Sequence, residues 1–232
     1  MIDFNDKKQV AKAIQYTNVN PNLTRGGVLK HLNVCIKYDF QAAMIAPCYI
    51  RLAKDALKGT GIEVASTLNF PQANDTLDMK LAALREMIKE GIDQFDFPPN
   101  PGLLIGGEEK AYFEEIRRIV ELAHSEGVVV KTMLEFGFLN EEQKKKAARL
   151  ACEAGADWVK QSSGWGVGGC AAKVEDVRIL KENITPPCRI KVSGKVNTIE
   201  KMKTMFEAGA ELVGTSSGPQ IVDGIAGNPD AY

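Results

Sequence analysis

Lys89-Glu90-Gly91-Ile92, Ser125-Glu126-Gly127-Val128, Glu153-Ala154-Gly155-Ala156 and Glu207-Ala208-Gly209-Ala210 repeat one phrase: a polar helix end, a glycine, and an apolar residue that opens the next segment. A glycine in that place closes a helix, because it takes the left-handed conformation that the cap requires. The glycines at 91, 127, 155 and 209 stand 36, 28 and 54 residues apart. One strand-plus-helix unit of about 30 residues fills each of the first two gaps, and two units fill the third. At that period the 232 residues hold eight units.

Each helix carries its own support. From Thr76 to Glu90, Leu77, Leu81, Leu84 and Ile88 recur at helical spacing, and Phe113, Ile116, Val120 and Ala123 do so in the next helix. Asn140 followed by Gln143 reads as a capping box. The expected strands are residues 13–18, 42–47, 63–68, 93–98, 128–134, 157–161, 189–193 and 211–216. Seven are short and apolar, as parallel strands covered by helices are; the first mixes polar with apolar residues. Eight alternating units predict an α/β fold, a closed (β/α)8 barrel, with a doubly wound open sheet as the competitor. No Pro/Gly/Ser linker divides the chain, so residues 1–232 read as one domain. Residues 226–232 lack apolar periodicity and are expected to form a flexible C-terminal tail.

Composition narrows the function. Lys and Arg number 29 against 30 Asp and Glu, and a formal net charge of -1 leaves no basic surplus to neutralise phosphates, which counts against nucleic acid as a partner. No stretch approaches the roughly 18 uncharged apolar residues of a bilayer helix. Met1-Ile2-Asp3-Phe4-Asn5-Asp6 has neither the basic nor the apolar region of a signal peptide, so no membrane partner and a cytoplasmic address are expected. Five cysteines (Cys35, Cys48, Cys152, Cys170, Cys188) include no CxxC pair, which suggests neither disulfides nor zinc; most should be small buried hydrophobes. No GxGxxG follows the first strand and no Walker-type GxxxxGKS/T occurs, so no nucleotide cofactor is indicated. Only His31 and His124 are histidines, and His124 reads as solvated. Proton carriers are therefore sought among Lys, Asp, Glu and Tyr.

In a parallel barrel the active site lies at the C-terminal ends of the strands, which singles out Asp96, Lys160 and Lys191. A lone lysine at a strand end ordinarily snorkels to solvent. Two on neighbouring strands, if both point inward, repel by about 4 kcal/mol at ~4 Å and an effective dielectric near 20. One would then be a neutral amine near pH 7, able to form a Schiff base with a carbonyl while Asp96 shuttles protons. Ser193-Gly194-Lys195 and Gly214-Thr215-Ser216-Ser217-Gly218 follow the last two strands, the usual phosphate site of a barrel, although simple turn chemistry explains the same residues.

These stretches, with Leu52-Ala53-Lys54, Leu57-Lys58-Gly59-Thr60-Gly61, Asn69-Phe70-Pro71 and Gly155-Ala156-Asp157-Trp158-Val159-Lys160, resemble the deoxyribose-phosphate aldolase family in order and spacing along nearly the whole chain. The family is of class I aldolases on a (β/α)8 barrel. The resemblance implies reversible cleavage of 2-deoxyribose 5-phosphate to acetaldehyde and glyceraldehyde 3-phosphate without metal or organic cofactor, with phosphosugar and aldehydes as the only small-molecule partners and room for a homo-oligomer, dimer or tetramer. It aligns Lys160 with the Schiff-base lysine, Lys191 with the lysine that depresses its pKa, and Asp96 with the acid of the proton relay. It aligns Gly164, Gly194, Ser216 and Ser217 with the phosphate loops and Ser163 with a hydroxyl near the substrate. Lys195 is expected to supply charge to the acceptor phosphate, and Tyr232 to match a terminal tyrosine that exchanges the C2 proton.

Departures from the family pattern sit mostly around substrate binding: Gln15 for an aspartate, Met44 for a cysteine, Phe136 for a threonine, Gln161-Ser162-Ser163 for Thr-Ser-Thr, Trp165 for a lysine of some members, and Gly194-Lys195-Val196-Asn197 for Gly-Gly-(Ile/Val)-Arg. Two other readings stand beside the resemblance: an aldolase of the same family with another acceptor aldehyde, and a phosphosugar-binding or isomerising barrel that forms no imine.

Overall fold

The computed structural model describes residues 2–227. Eight strands, β1 (Ile14–Asn18), β2 (Ala42–Ile45), β3 (Glu63–Thr67), β4 (Gln94–Phe97), β5 (Val129–Met133), β6 (Trp158–Lys160), β7 (Arg189–Ser193) and β8 (Leu212–Thr215), close into a barrel in sequence order. Every neighbouring pair is parallel, including β8 with β1. The open-sheet alternative is thereby excluded, and all eight expected strands form.

The helix signals hold at residue level. Thr76 caps the helix Leu77–Lys89 through the Met79 amide, and Asn140 with Gln143 makes the reciprocal capping box of Glu141–Glu153. Gly91 and Gly209 follow helix ends at φ 91° and 126°, where any side chain would strain the backbone. The long gap between Gly155 and Gly209 does hold two units. The helix inside it, Val174–Asn183, runs out into an extended Ile184 and then Pro186-Pro187, so a proline stop replaces the glycine and hides the period.

Residues on each strand alternate. Ile14, Val64, Phe95, Val130, Val159, Ile190 and Val213 pack against Leu32, Leu84, Ile116, Ala147, Val177 and Met202 of the helices in one large core. Each such fully buried side chain contributes about 1.5–3 kcal/mol. The alternate positions face the barrel interior, where among the described residues Ala42, Met44 and Ala65 form a small apolar cluster with Val19 against it. Gln15, Gln94, Asp96, Lys131, Lys160 and Lys191 fill much of the rest, all buried. The outer core supplies the stability that offsets this polar interior.

The cysteines correct an expectation. Only Cys35 and Cys188 are buried; Cys152 and Cys170 are half-buried and Cys48 is exposed, and all five are free. Cys48 lies in the turn Pro47–Tyr49 just after β2, where the chain leaves the barrel for the surface. His124 is solvated, as expected, beside Asp157, while His31 stacks on Tyr16 and burial pushes it down to about 4. No helix of the described residues is long and apolar enough to cross a membrane.

Candidate active site

Parallel pairing brings four ionisable side chains together on successive strands. Asp96 pairs in register with Lys131, and Lys160 with Lys191. Asp96 Oδ2 accepts from Lys160 Nζ at 2.9 Å and from Lys191 Nζ at 2.7 Å. Lys131 Nζ stands 3.5 Å from Asp96 Oδ1, and neither of these two buried atoms has a hydrogen-bond partner. Gly214 on β8 leaves room for the Lys191 stem, which a Cβ there would meet at 3.1 Å.

One carboxylate faces three amines, all of them buried. Burial alone would raise Asp96, but the charges of Lys160, Lys191 and Lys131 outweigh it and hold the carboxyl below its ordinary range. Burial pushes Lys191 well below the usual lysine value; Asp96 opposes this, and Lys160 and Lys131 add to it. Lys131 falls to about 8, again chiefly by burial, with Asp96 opposing. Three ammonium groups cannot share this space with one anion at modest cost, so the cluster favours an uncharged amine near pH 7. A neutral amine beside a carboxylate and an ammonium has what imine formation and proton transfer require.

Above the cluster the site opens in two stages. An inner cavity of about 10 Å³ is lined by Asp96, Lys160 and Lys191 with Met44, Met133 and Phe70 around them. Through Thr17 and Val19 it adjoins an outer cavity of about 550 Å³, walled by Tyr16, Asn18 and Asn20 on one side and by Gly164, Trp165, Gly166, Lys195 and Ser216 on the other. Among the described residues, Lys195 is the one cation in that lining. Its own backbone is left-handed at φ 59°, as are Asn69 at 49° and Glu135 at 46°, each two residues past the end of β7, β3 and β5. Non-glycine residues in that region cost of order 1–3 kcal/mol each, and here they ring the mouth of the barrel.

The structure thus gathers Asp96, Lys160 and Lys191 into one hydrogen-bonded group and places Gly164, Lys195 and Ser216 in the outer wall. Ser163, Gly194 and Ser217 are not in that wall. The Ser163 hydroxyl donates to the Trp165 carbonyl and accepts from the Trp165 amide, which spends it on the loop. Gly194 lies so close under the Cys170 carbonyl that no side chain fits, and Ser217 is buried beneath Gly227. Tyr232 lies outside the described residues.

Two residues of the site were not anticipated. Lys131 interrupts the apolar run Val128-Val129-Val130, which was the available signal: a lysine mid-strand, alternating inward. Glu135, its carboxyl raised by burial, accepts from the Ser163 amide and the Ser162 hydroxyl and so anchors the loop that follows β6. Ser162 Oγ also accepts from the Gly164 and Cys170 amides. Nothing of His, Cys, Asp and Glu among the described residues clusters as a metal set would.

A closed parallel barrel with amines and a carboxylate converging at the C-terminal strand ends is the architecture of an enzyme. The model of a family described as DeoC/LacD family aldolase matches residues 32–223, and the chain belongs to that family of aldolases, which are lyases. The deoxyribose-phosphate aldolase of Thermococcus gammatolerans is 39% identical over 217 residues, 93% of this chain and 96% of that protein. That of Thermococcus kodakarensis is 38% identical over 221 residues, covering 94% and 98%. The solved deoxyribose phosphate aldolase of Aeropyrum pernix, described as having a unique tetrameric structure, superposes with a TM-score of 0.87 at 26% identity over 94% of this chain and 92% of its own.

Proposed function

We propose that the chain reversibly cleaves 2-deoxyribose 5-phosphate to acetaldehyde and glyceraldehyde 3-phosphate through an imine on Lys160. The observation that carries this reading is the single oxygen, Asp96 Oδ2, held between Lys160 and Lys191 at 2.9 and 2.7 Å in a buried site. In the synthetic direction the Lys160 amine adds to acetaldehyde and the adduct loses water to give an iminium. The iminium loses a C2 proton, with Asp96 and Lys191 relaying protons, and the resulting enamine carbon bonds to the acceptor carbonyl, whose oxygen gains a proton. Water then adds to the new iminium and releases product and free Lys160.

The acceptor phosphate is read into the outer cavity, with Lys195 as its cation and Gly164 and Ser216 as neighbours. Trp165, edge-on to Phe70 at 6.1 Å, stands where a charged wall would favour phosphate alone, and this observation supports a second reading, another acceptor aldehyde. Tyr232, which lies outside the described residues, is read as an exchanger of the C2 proton. Deleting Tyr232 should then slow exchange of the acetaldehyde methyl protons by about 10²–10⁴-fold, as followed by NMR in deuterated water.

Borohydride reduction in the presence of acetaldehyde is the primary test. A mass increment on the Lys160 peptide is expected; labelling of Lys191 instead, or of neither, sinks the imine reading and leaves the non-covalent barrel. An acceptor screen with and without phosphate separates the two aldolase readings. The assembly is read as a homo-oligomer from the likeness to the Aeropyrum pernix aldolase, which light scattering tests.

A further inference from the structure

Below the amine cluster, the barrel interior holds amides where branched aliphatic side chains are usual. Gln15 Nε2 donates to Gln94 Oε1 at 2.6 Å and to Gln41 Oε1 at 2.9 Å. Gln94 Nε2 and Gln41 Nε2 both donate to Glu63 Oε2, at 2.5 and 2.7 Å, and Gln94 Nε2 also reaches Gln41 Oε1 at 3.3 Å. At the other end Gln15 Oε1 accepts from Lys191 Nζ at 2.5 Å. Gln15 and Gln94 are buried, Gln41 is half-buried, and Glu63, the first residue of β3, is exposed. A continuous chain of side chains therefore runs from solvent at the floor of the barrel to the amine that bonds Asp96.

An amide has a donor end and an acceptor end of nearly equal shape, so its neighbours decide which way it points. An ionised carboxylate accepts and never donates. Glu63 obliges Gln94 and Gln41 to turn their N–H groups toward it. Their carbonyls are then left for Gln15, both of whose N–H groups they take, and the Gln15 carbonyl is left for Lys191. We propose that Glu63 is a positioning residue of the amine cluster: through Gln41, Gln94 and Gln15 it fixes a hydrogen-bond acceptor against Lys191 and favours the ammonium form of that side chain. With the chain reversed, a Gln15 N–H would face Lys191 and favour the neutral amine.

The other groups facing Lys191 are Asp96 from β4, Lys131 from β5 and Lys160 from β6, whose charges do not depend on the direction of an amide. A single carboxylate at the floor thus biases a proton at the reacting end. The inference concerns the protonation of Lys191 and goes beyond the aldol reading; its test needs no substrate.

Lysines labelled at 13Cε report their titrations by NMR, with Lys191→Met and Lys131→Met spectra for assignment. In Glu63→Gln, whose exposed site spares the core, the Lys191 midpoint should fall by about one pH unit, a tenfold loss of ammonium. Lys131, which makes no hydrogen bond to the amides and feels Glu63 only as a charge, should fall by clearly less than Lys191. In a Gln15→Met background, with the acceptor gone, Glu63→Gln should move Lys191 less than twofold. A carboxylate acting only as a distant charge would move Lys131 as far as Lys191 and would act equally in Gln15→Met. Either result, or an unmoved Lys191 in Glu63→Gln, overturns the proposal. If Gln15→Met does not fold, the contrast of Lys191 with Lys131 in Glu63→Gln alone decides.

Discussion

The inner and outer ends of the site are built on opposite principles. Asp96, Lys131, Lys160 and Lys191 stand on four successive strands, none more than 3% exposed, and their distances follow from barrel register. Lys195, Trp165 and Ser216 stand on loops, line an open cavity, and depend on left-handed backbone and close glycine approaches. Charge is concentrated in the first region and sparse in the second. The lesson is that a parallel barrel holds its reacting groups with the same hydrogen bonds that hold its strands, while recognition is left to segments that can vary without disturbing them. Of the departures from the family pattern, Trp165 and Lys195 belong to the second region, and Gln15 and Met44 to the first.

The sharpest way to break this division is Asp96→Asn. If Asp96 moves protons for an imine on Lys160, kcat should fall by about 10²–10⁴-fold. Removing the anion that favours the ammonium forms moves the lysine titrations to lower pH, so the alkaline limb of the rate profile should move down, while borohydride trapping at Lys160 persists. Loss of trapping together with rate would mean that Asp96 holds the amine in place and does no more.

Lys195→Gly probes the outer end. Efficiency toward a phosphorylated acceptor should drop on the order of ten- to a hundredfold, as expected for one charge-assisted contact, with little change for the unphosphorylated acceptor. Stability should move by no more than about 1 kcal/mol in denaturant titrations, because relief of the left-handed backbone is countered by the larger unfolded-state freedom of glycine. Equal losses for both acceptors would place the ammonium in solvent.

Lys131→Met compares the two regions by stability. The Lys131 ammonium titrates at about 8 in the fold against 10.5 ordinarily. The unfolded chain holds the extra proton between those values, so the burial penalty is full below pH 8 and fades as pH rises to 10.5. Lys131→Met should therefore stabilise the protein by about 1–3 kcal/mol at pH 7, and the gap should close toward pH 10.5 in urea titrations. A gap independent of pH would show that packing, not charge, sets the difference.

Much of this was legible in residue order. Glycine caps and helical spacing carried the eight units, since both are local: a cap needs only its own turn, and an amphipathic face only its own helix. Lys160, Lys191 and Asp96 were legible because strand ends are where barrel chemistry sits. Lys131 reads in sequence as part of an apolar strand, and the loop contacts of Ser163, Gly194 and Ser217 join residues that no local pattern pairs.

Sequence alone determined the alternation of strand and helix, the capping residues and the lysines at strand ends, each being set by neighbours within a few positions. Only the tertiary structure decided that the sheet closes, that Asp96 bridges residues 64 and 95 positions away, and that Glu63 reaches Lys191 through three amides. The reason is physical: closure and hydrogen-bond polarity are properties of a ring of strands, and no single strand contains the partner that fixes which way its polar side chains face.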